Sequence, residues 1–154
     1  MKISAQDEYG LRILLRLAKA EEEGLNLLQL SKAEGLSVSY VAKLTRLLRM
    51  GGLIQSTRGQ KGGYILSKPS DKINIKEALD TLGGTFFNDA FCGNHSGTML
   101  FCTNSVDCSV RSLWKMVQSS VDNLLENVSL KDLVTAESDS EFHLLNLLSA
   151  TEQT

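Results

Sequence analysis

The most informative segment of the chain is Ser37-Val38-Ser39-Tyr40-Val41-Ala42-Lys43-Leu44-Thr45-Arg46-Leu47-Leu48-Arg49-Met50. Its apolar residues recur at spacings of three and four, which predicts a helix with one buried face formed by Val41, Leu44, Leu47 and Leu48. The opposite face is polar and basic and carries Ser39, Lys43, Arg46 and Arg49. A serine at the start of the stretch supplies a hydroxyl that can cap the first turn. The pattern therefore predicts an amphipathic helix with a basic outer face.

The segments on either side of this helix complete a recognisable unit. Upstream, a short helix from Leu27 to Glu34 is followed by Gly35, and two short helices joined by a glycine-containing turn indicate a helix-turn-helix. Downstream, two β-prone runs within residues 53–67 flank the basic, glycine-rich turn 58–63, which predicts a hairpin. A helix-turn-helix followed by such a hairpin is a winged helix.

The rest of the chain adds helices and one long loop. Apolar spacing predicts a first helix over residues 4–20, a short helix over 75–82, a long helix from Val110 to Val128 and a short last helix from Ser129. Residues 83–109 are rich in Gly, Asn, Ser and Thr and are predicted to be a loop. The long helix carries enough apolar surface for a subunit interface, although it could instead pack on the chain's own core. Residues 142–148 are predicted to be a short docking helix or a loosely held tail.

The predicted fold class is therefore mainly α, with a winged helix-turn-helix, a long dimerisation helix and a cysteine-bearing loop. We divide the chain into a winged helix-turn-helix region (1–68), a linker helix and cysteine-bearing loop (69–109), a dimerisation helix with the short helix after it (110–134), and a tail (135–154).

Charge is distributed unevenly along the 154 residues. Residues 25–68 carry seven Lys or Arg and one Glu, a net charge of +6, whereas residues 69–154 carry five Lys or Arg and twelve Asp or Glu, a net charge of −7. A basic module on an acidic body favours binding to the phosphates of double-stranded DNA. No apolar run is long enough to span a membrane and no signal peptide is evident, so we expect a cytoplasmic protein. No catalytic constellation or phosphate-binding loop is present, so we expect neither an enzyme nor a small-molecule substrate.

All three cysteines lie in the predicted loop. Cys92 and Cys102 are separated by nine residues, and Cys102 and Cys108 by five. An odd number of cysteines in a reducing compartment argues against a disulfide framework, whereas thiolates in a pliable loop are typical ligands of zinc or an iron–sulfur cluster. Spacing alone does not choose between these two groups, or exclude cysteines without a function. A fourth ligand would come from nearby His95 or, from farther away, from Asp7 or Glu8.

Several stretches taken together resemble the Rrf2 family of bacterial transcription regulators. The matching segments are Met1-Lys2-Ile3-Ser4, Tyr9-Gly10-Leu11-Arg12, Leu36-Ser37-Val38-Ser39-Tyr40-Val41, Arg58-Gly59-Gln60-Lys61-Gly62-Gly63-Tyr64 and the cysteine loop, and they cover about residues 1–134. The resemblance implies a winged-helix homodimer with a long dimerisation helix. Many members bind a 2Fe-2S or 4Fe-4S cluster through three loop cysteines and sense iron–sulfur status, iron, nitric oxide or redox state; others lack the cysteines.

Two departures from the family pattern bear on the ligands. The nine-residue gap is wider than the five-residue gap of members that sense cluster status or nitric oxide, and is nearer that of the iron-responsive rhizobial branch. The cluster-biogenesis branch has a ligating histidine three residues after the last cysteine, where this chain has Arg111. The nitric-oxide-sensing branch uses an N-terminal acidic residue of the other subunit, which matches Glu8 here. The resemblance thus favours Glu8 over His95, and a 4Fe-4S cluster over 2Fe-2S.

The sequence therefore predicts a homodimeric regulator, acting as a repressor, whose affinity for a pseudo-palindromic operator is controlled by a cluster on Cys92, Cys102, Cys108 and Glu8. The predicted DNA contacts are Ser37, Ser39, Tyr40, Lys43 and Arg46 on the recognition helix, and Arg58, Gly59, Lys61 and Gly62 in the wing. The alternative is a zinc-stabilised or cluster-free winged-helix regulator with redox-active cysteines. A redox or iron–sulfur carrier enzyme is a weaker alternative, because a carrier needs no basic winged helix.

Overall fold

The computed structural model describes residues 3–59, 62–85, 87, 90–94, 97–99, 101–135 and 137–151. Within these ranges, the helices are α1 Ala5–Ala20, α2 Leu27–Glu34, α3 Val38–Met50, α4 Ile75–Leu82, α5 Ala90–Gly93, α6 Ser109–Glu126 and α7 Glu137–Thr151. Short 3₁₀ helices occupy Glu21–Glu23, Ser70–Lys72 and Leu130–Leu133, and the strands are β1 Ile54–Thr57 and β2 Gly63–Leu66. The mainly α, winged-helix fold class is confirmed.

The helix-turn-helix forms where local sequence signals place it. Asn26 and Gln29 form a reciprocal capping box at the start of α2, with both N–H···O bonds at 2.9 Å. Gly35 ends α2 in the left-handed conformation, at φ 66°, which favours glycine. Ser37 then caps α3, because its hydroxyl accepts a hydrogen bond from the amide of Tyr40. These caps fix the turn between the two helices.

The wing is an antiparallel pair in which Ile54 faces Leu66 and Thr57 faces Gly63. Leu25, in the segment before α2, extends this sheet, because its amide donates to Tyr64 at 3.0 Å and its carbonyl accepts from Tyr64 at 2.8 Å. A Cβ on Gly63 would lie 2.7 Å from the Leu25 carbonyl oxygen, so the close approach requires glycine. The wing is thereby anchored to the helix-turn-helix.

One hydrophobic core joins α1, α2, α3, β1, α4 and the segment after α6. Its buried side chains are Ile13, Leu14, Leu17, Leu30, Val41, Leu44, Leu48, Leu53, Ile54, Ile73, Ile75, Ala78, Leu82, Val128 and Leu130. The predicted buried face of α3 needs one adjustment: Leu47 is only half-buried, whereas Thr45 is fully buried and its hydroxyl donates to the Val41 carbonyl at 3.0 Å. A buried threonine is tolerated in α3 because the helix satisfies its hydroxyl.

The C-terminal half closes onto the core through backbone bonds. Ile75 donates to the Val128 carbonyl at 2.8 Å, and Leu130 donates to the Ile73 carbonyl at 2.7 Å. In contrast, α6 has no buried residue among those described, and α7 is a 15-residue helix rather than the short segment expected from sequence. The reason for the longer α7 is that Leu144 and Leu147 pack on the core. None of the described helices combines the length and apolarity needed to cross a membrane.

Candidate DNA-binding face and cysteine site

The outer face of α3 is polar and accessible. Ser39, Lys43 and Arg46 are exposed, and Tyr40 is half-buried at the first turn. The Ser37 hydroxyl lies 3.2 Å from the Ser39 hydroxyl, in addition to capping the helix. A hydroxyl that accepts one bond still has a proton to donate, so the cap does not prevent a phosphate contact. The predicted recognition residues are thus together on one face of one helix.

The tip of the wing is shaped by glycines. Gly59 adopts φ 138°, which only glycine populates readily, and its carbonyl accepts a hydrogen bond from the Gly62 amide at 2.9 Å. The adjacent Arg58 is exposed. Lys61, the other predicted wing contact, lies outside the described residues. The small glycines and the exposed Arg58 side chain lie next to each other, which would allow the wing to approach the phosphates of DNA closely.

A chain of side-chain contacts connects α1 to the recognition helix. The Tyr40 ring meets the Tyr9 ring edge-on, with centroids 6.3 Å apart and planes at 84°. The Arg12 guanidinium lies over the other ring, 5.6 Å from the Tyr9 centroid, and also pairs with Glu8, with Nη2 and Oε1 2.6 Å apart. Arg12 Nε also donates a hydrogen bond to Glu8 Oε1 at 2.8 Å, and this bond raises the pKa of Arg12. Glu8 is therefore connected to Tyr40 through Arg12 and Tyr9.

The three cysteines come together although the described part of the loop contains little regular structure besides α5. Cys92 lies on α5, Cys108 is the residue before α6, and all three thiols are free and half-buried. All three line a cavity of about 140 Å³ whose other walls include Phe87, Val110 and Trp114. They also line an adjoining cavity of about 200 Å³. The three thiols, far apart in sequence, therefore line common cavities.

Cys108 has a second role as the N-cap of α6. Its Sγ accepts a hydrogen bond from the Arg111 amide at 3.4 Å, at the positive end of the helix. Sequence reasoning missed this cap, because sulfur is not among the usual capping atoms. The remaining clue was its position directly before the helical pattern. Hydrogen bonds to a ligating sulfur are one of the means by which a protein tunes an iron–sulfur centre.

The three cysteines are a donor set of the kind that holds an iron–sulfur cluster. Within the described ranges, no three Cys, His, Asp or Glu side chains converge closely enough to hold one ion. A cluster spreads its iron atoms over several positions, so its thiolates need to surround a cavity rather than meet at a point. Three cysteines around one cavity with aromatic and aliphatic walls meet that requirement.

The candidates for a fourth ligand differ in accessibility. Glu8 is half-exposed on α1 and does not line the cysteine cavities of its own chain. Asp7 is only 6% exposed, and its Oδ2 accepts hydrogen bonds from the Ser4 amide and hydroxyl at the start of α1. His95 lies outside the described residues. Of the two described carboxylates, Glu8 is the more exposed.

The helix-turn-helix, the wing and the basic α3 face together define a winged-helix DNA-binding protein. The match to a family model narrows that class: the chain belongs to the Rrf2 family, described as iron-dependent transcriptional regulators, over residues 3–136. The protein is thus a DNA-binding transcription regulator of the Rrf2 family.

Individual relatives agree with this assignment. CymR of Bacillus subtilis is 30% identical over 136 residues, covering 88% of this chain and 91% of the relative. IscR of Photorhabdus laumondii is 28% identical over 135 residues, covering 87% and 79% of the two chains. These relatives are named as HTH-type transcriptional regulators, a function that is not enzymatic.

Solved structures share the fold. The structure of CymR, the global cysteine regulator of B. subtilis, superposes with a TM-score of 0.68 and 29% identity, covering 87% of this chain and 96% of that one. The structure of T. potens IscR gives a TM-score of 0.66 and 27% identity, with 87% and 86% covered. The family assignment therefore rests on sequence and fold together.

Proposed function

We propose that this regulator acts as a homodimeric repressor whose operator affinity is set by an iron–sulfur cluster held by Cys92, Cys102 and Cys108, with Glu8 of the partner subunit as the fourth ligand. The observation that carries the proposal is the shared cavity: three cysteines from a 17-residue span line it together. A bound cluster would supply a centre that responds to oxidation, nitric oxide or loss of iron. A 4Fe-4S cluster is favoured over 2Fe-2S on the family resemblance.

The carboxylate gives the proposed site its sensitivity. Thiolate is the better match for iron in a sulfide cluster, so the iron held by Glu8 would be the most easily lost. Glu8 contacts Arg12 through Oε1, so binding iron would make it share or give up this ion pair. Exposed ion pairs contribute little to stability, so this exchange costs little. The Arg12 guanidinium also lies over the Tyr9 ring, which meets Tyr40 on the recognition helix, so a change in the partner of Arg12 would be felt at this aromatic pair. This is the physical connection between the cluster and the DNA-binding face.

DNA recognition follows from the basic face of α3. We propose that α3 enters the major groove with Ser37, Ser39, Tyr40, Lys43 and Arg46 as contacts, and that the wing contacts the backbone through Arg58, Gly59, Lys61 and Gly62. The exposed apolar side chains of α6, including Leu113 and Met116, would be covered by the second subunit. Two recognition helices held in this way would match two half-sites about one helical turn apart.

The first test is anaerobic purification followed by iron and sulfide analysis and a visible spectrum. The chain has a single tryptophan, Trp114, and it lines the cysteine cavity. Cluster loading should therefore produce a coloured protein and quench the emission of Trp114. Substituting serine at Cys92, Cys102 or Cys108 should prevent both changes. A colourless protein containing one zinc per subunit would instead support the zinc-stabilised alternative.

The second test distinguishes between Glu8 and His95 as the fourth ligand. Glu8→Ala should leave the dimer intact, but give a cluster that decays faster in air and an altered affinity for the operator. His95→Ala is the matched comparison. If His95→Ala destabilises the cluster while Glu8→Ala leaves its spectrum and lifetime unchanged, the ligand across the subunits is excluded.

A further inference from the structure

We infer that Arg111 is a positioning residue of the cysteine site, which holds Cys102 and Cys108 in place before a cluster arrives and offsets the negative charge of the loaded site. This inference rests on the proposed function, and it assigns a role at the position where another branch of the family has a ligand. Because arginine cannot ligate iron, the role has to come from its contacts and its charge.

Arg111 is bonded to both ends of the last cysteine segment. Its backbone amide donates to Cys108 Sγ at 3.4 Å, and its guanidinium Nη1 donates to the Ser105 carbonyl at 3.0 Å. Ser105 in turn donates its amide to the Cys102 carbonyl at 3.1 Å. One residue on α6 therefore fixes the turn after Cys102 relative to the thiol of Cys108. Such preorganisation reduces the ordering that cluster binding would otherwise require.

The charge of Arg111 is also well placed. It lines both cavities that the three cysteines line, and among the described lining residues it is the one cationic side chain. Three thiolates and a carboxylate give a loaded cluster a net negative charge, and Phe87, Val110 and Trp114 cannot offset it. A guanidinium beside the site stabilises that charge, and it does so more strongly after the cluster gains an electron, when the negative charge is greater.

The positioning role is tested on the apo protein by hydrogen exchange of residues 101–108. Arg111→Ala removes the bond to the Ser105 carbonyl, so exchange in this segment should become at least threefold faster. Lys115→Gln is the matched control, because Lys115 lies one helical turn farther along α6 and does not line the cavities. Exchange that is unchanged in Arg111→Ala overturns the positioning role, whether or not the wild-type protein binds a cluster.

The charge role is tested by redox titration of the loaded protein with dithionite as the reductant. Arg111→Gln should lower the ratio of reduced to oxidised cluster at a fixed ambient potential by about tenfold, which corresponds to about 59 mV for a one-electron couple. Arg111→Lys and Lys115→Gln should both stay near the wild-type potential. A glutamine variant that loads no cluster, beside a lysine variant that does, also supports the role of charge.

The outcomes are distinguishable from failure of the proposed function. A wild-type protein that cannot be loaded refutes the cluster, and leaves the hydrogen-exchange result to decide the role of Arg111 alone. A loaded wild-type protein whose potential equals that of Arg111→Gln refutes the charge role. A merely structural contribution of Arg111 would change stability without moving the potential in this charge-dependent order.

Discussion

Replacing Tyr9 with leucine tests whether α1 and the recognition helix are coupled through aromatic contact. The edge-on geometry of Tyr9 and Tyr40, at 6.3 Å and 84°, is a favourable one and contributes about 0.5–1.5 kcal/mol beyond burial. Leucine keeps an apolar side chain but removes the ring. A dimer contains two such contacts, so the pairs can transmit at most about 1–3 kcal/mol, or roughly 5- to 150-fold in operator affinity. A larger dependence on the cluster would require an additional route.

The assay is fluorescence anisotropy with an operator selected from random DNA, using loaded and apo protein. Tyr9→Leu should bring the loaded and apo affinities together, whereas Tyr9→Phe, which retains the ring, should preserve their ratio. A double-mutant cycle of Tyr9→Leu with Tyr40→Leu, followed by urea unfolding, measures the contact itself. If the loaded-to-apo ratio in Tyr9→Leu equals that of the wild type, the aromatic pair does not carry the signal.

Four further predictions concern the DNA face, the subunit interface and the C-terminal helix. Lys43→Ala should weaken operator binding by about 1–3 kcal/mol if Lys43 reads a base, and weaken binding to all sequences evenly if it touches phosphate; unchanged affinity excludes it from the interface. Arg58→Ala should weaken binding and make its salt dependence shallower, by about one unit per lost phosphate contact; identical slopes would place the wing off the DNA. Val121→Asp places a charge in the proposed dimer interface, so sedimentation should show monomers; a full dimer would locate the interface elsewhere. Burial would raise the pKa of Asp132, but hydrogen bonds from Ser129 and the neighbouring His143 outweigh it and hold the pKa below 3.8. The stabilisation from charged Asp132 is therefore present above that pH and lost as the pH falls through the folded-state value. Asp132→Asn should lower the free energy of unfolding at pH 7 but not at strongly acidic pH, and an equal deficit at both would contradict this.

The helix-turn-helix could be predicted because its boundaries are set by local chemistry. Ser37, Gly35 and the apolar spacing of α3 each act within a few residues, so sequence neighbours contain the relevant information. The same holds for the wing, where Gly59 takes a backbone conformation that glycine favours. Local signals of this kind placed α2, α3 and the hairpin within one or two residues of their observed bounds.

Features that depend on distant partners were not predictable from sequence. Gly10 is buried in α1 against Leu82, a neighbour 72 residues away. A Cβ at this position would lie 2.4 Å from the Leu82 side chain, so the packing requires glycine. α7 extends over 15 residues, and two kinds of contact hold it in place. Leu144 and Leu147 pack against the core, and Nε2 of His143 lies 3.1 Å from Oδ1 of Asp132. Neither the contact of Gly10 nor those of α7 produces a repeating pattern of apolar residues from which it could be predicted. The cysteine loop shows the same limit. Its candidate ligands could be proposed from the sequence, but the hydrogen bonds of Arg111 to Cys108 and Ser105 could not.

The surface position of Glu8 matters for the proposed change in operator affinity, because that change has to be reversible. A ligand can shift an equilibrium only by the difference between its free energies in two states, and a small difference makes the equilibrium easy to reverse. In one chain Glu8 pairs with Arg12 at the surface, where the pair is weak. Asp7 is only 6% exposed and its Oδ2 accepts two hydrogen bonds from Ser4 at the start of α1, so it is less accessible than Glu8 to a site on another chain. An exposed carboxylate with a weak alternative partner is therefore better suited than a buried one to serve as the exchangeable ligand that we propose.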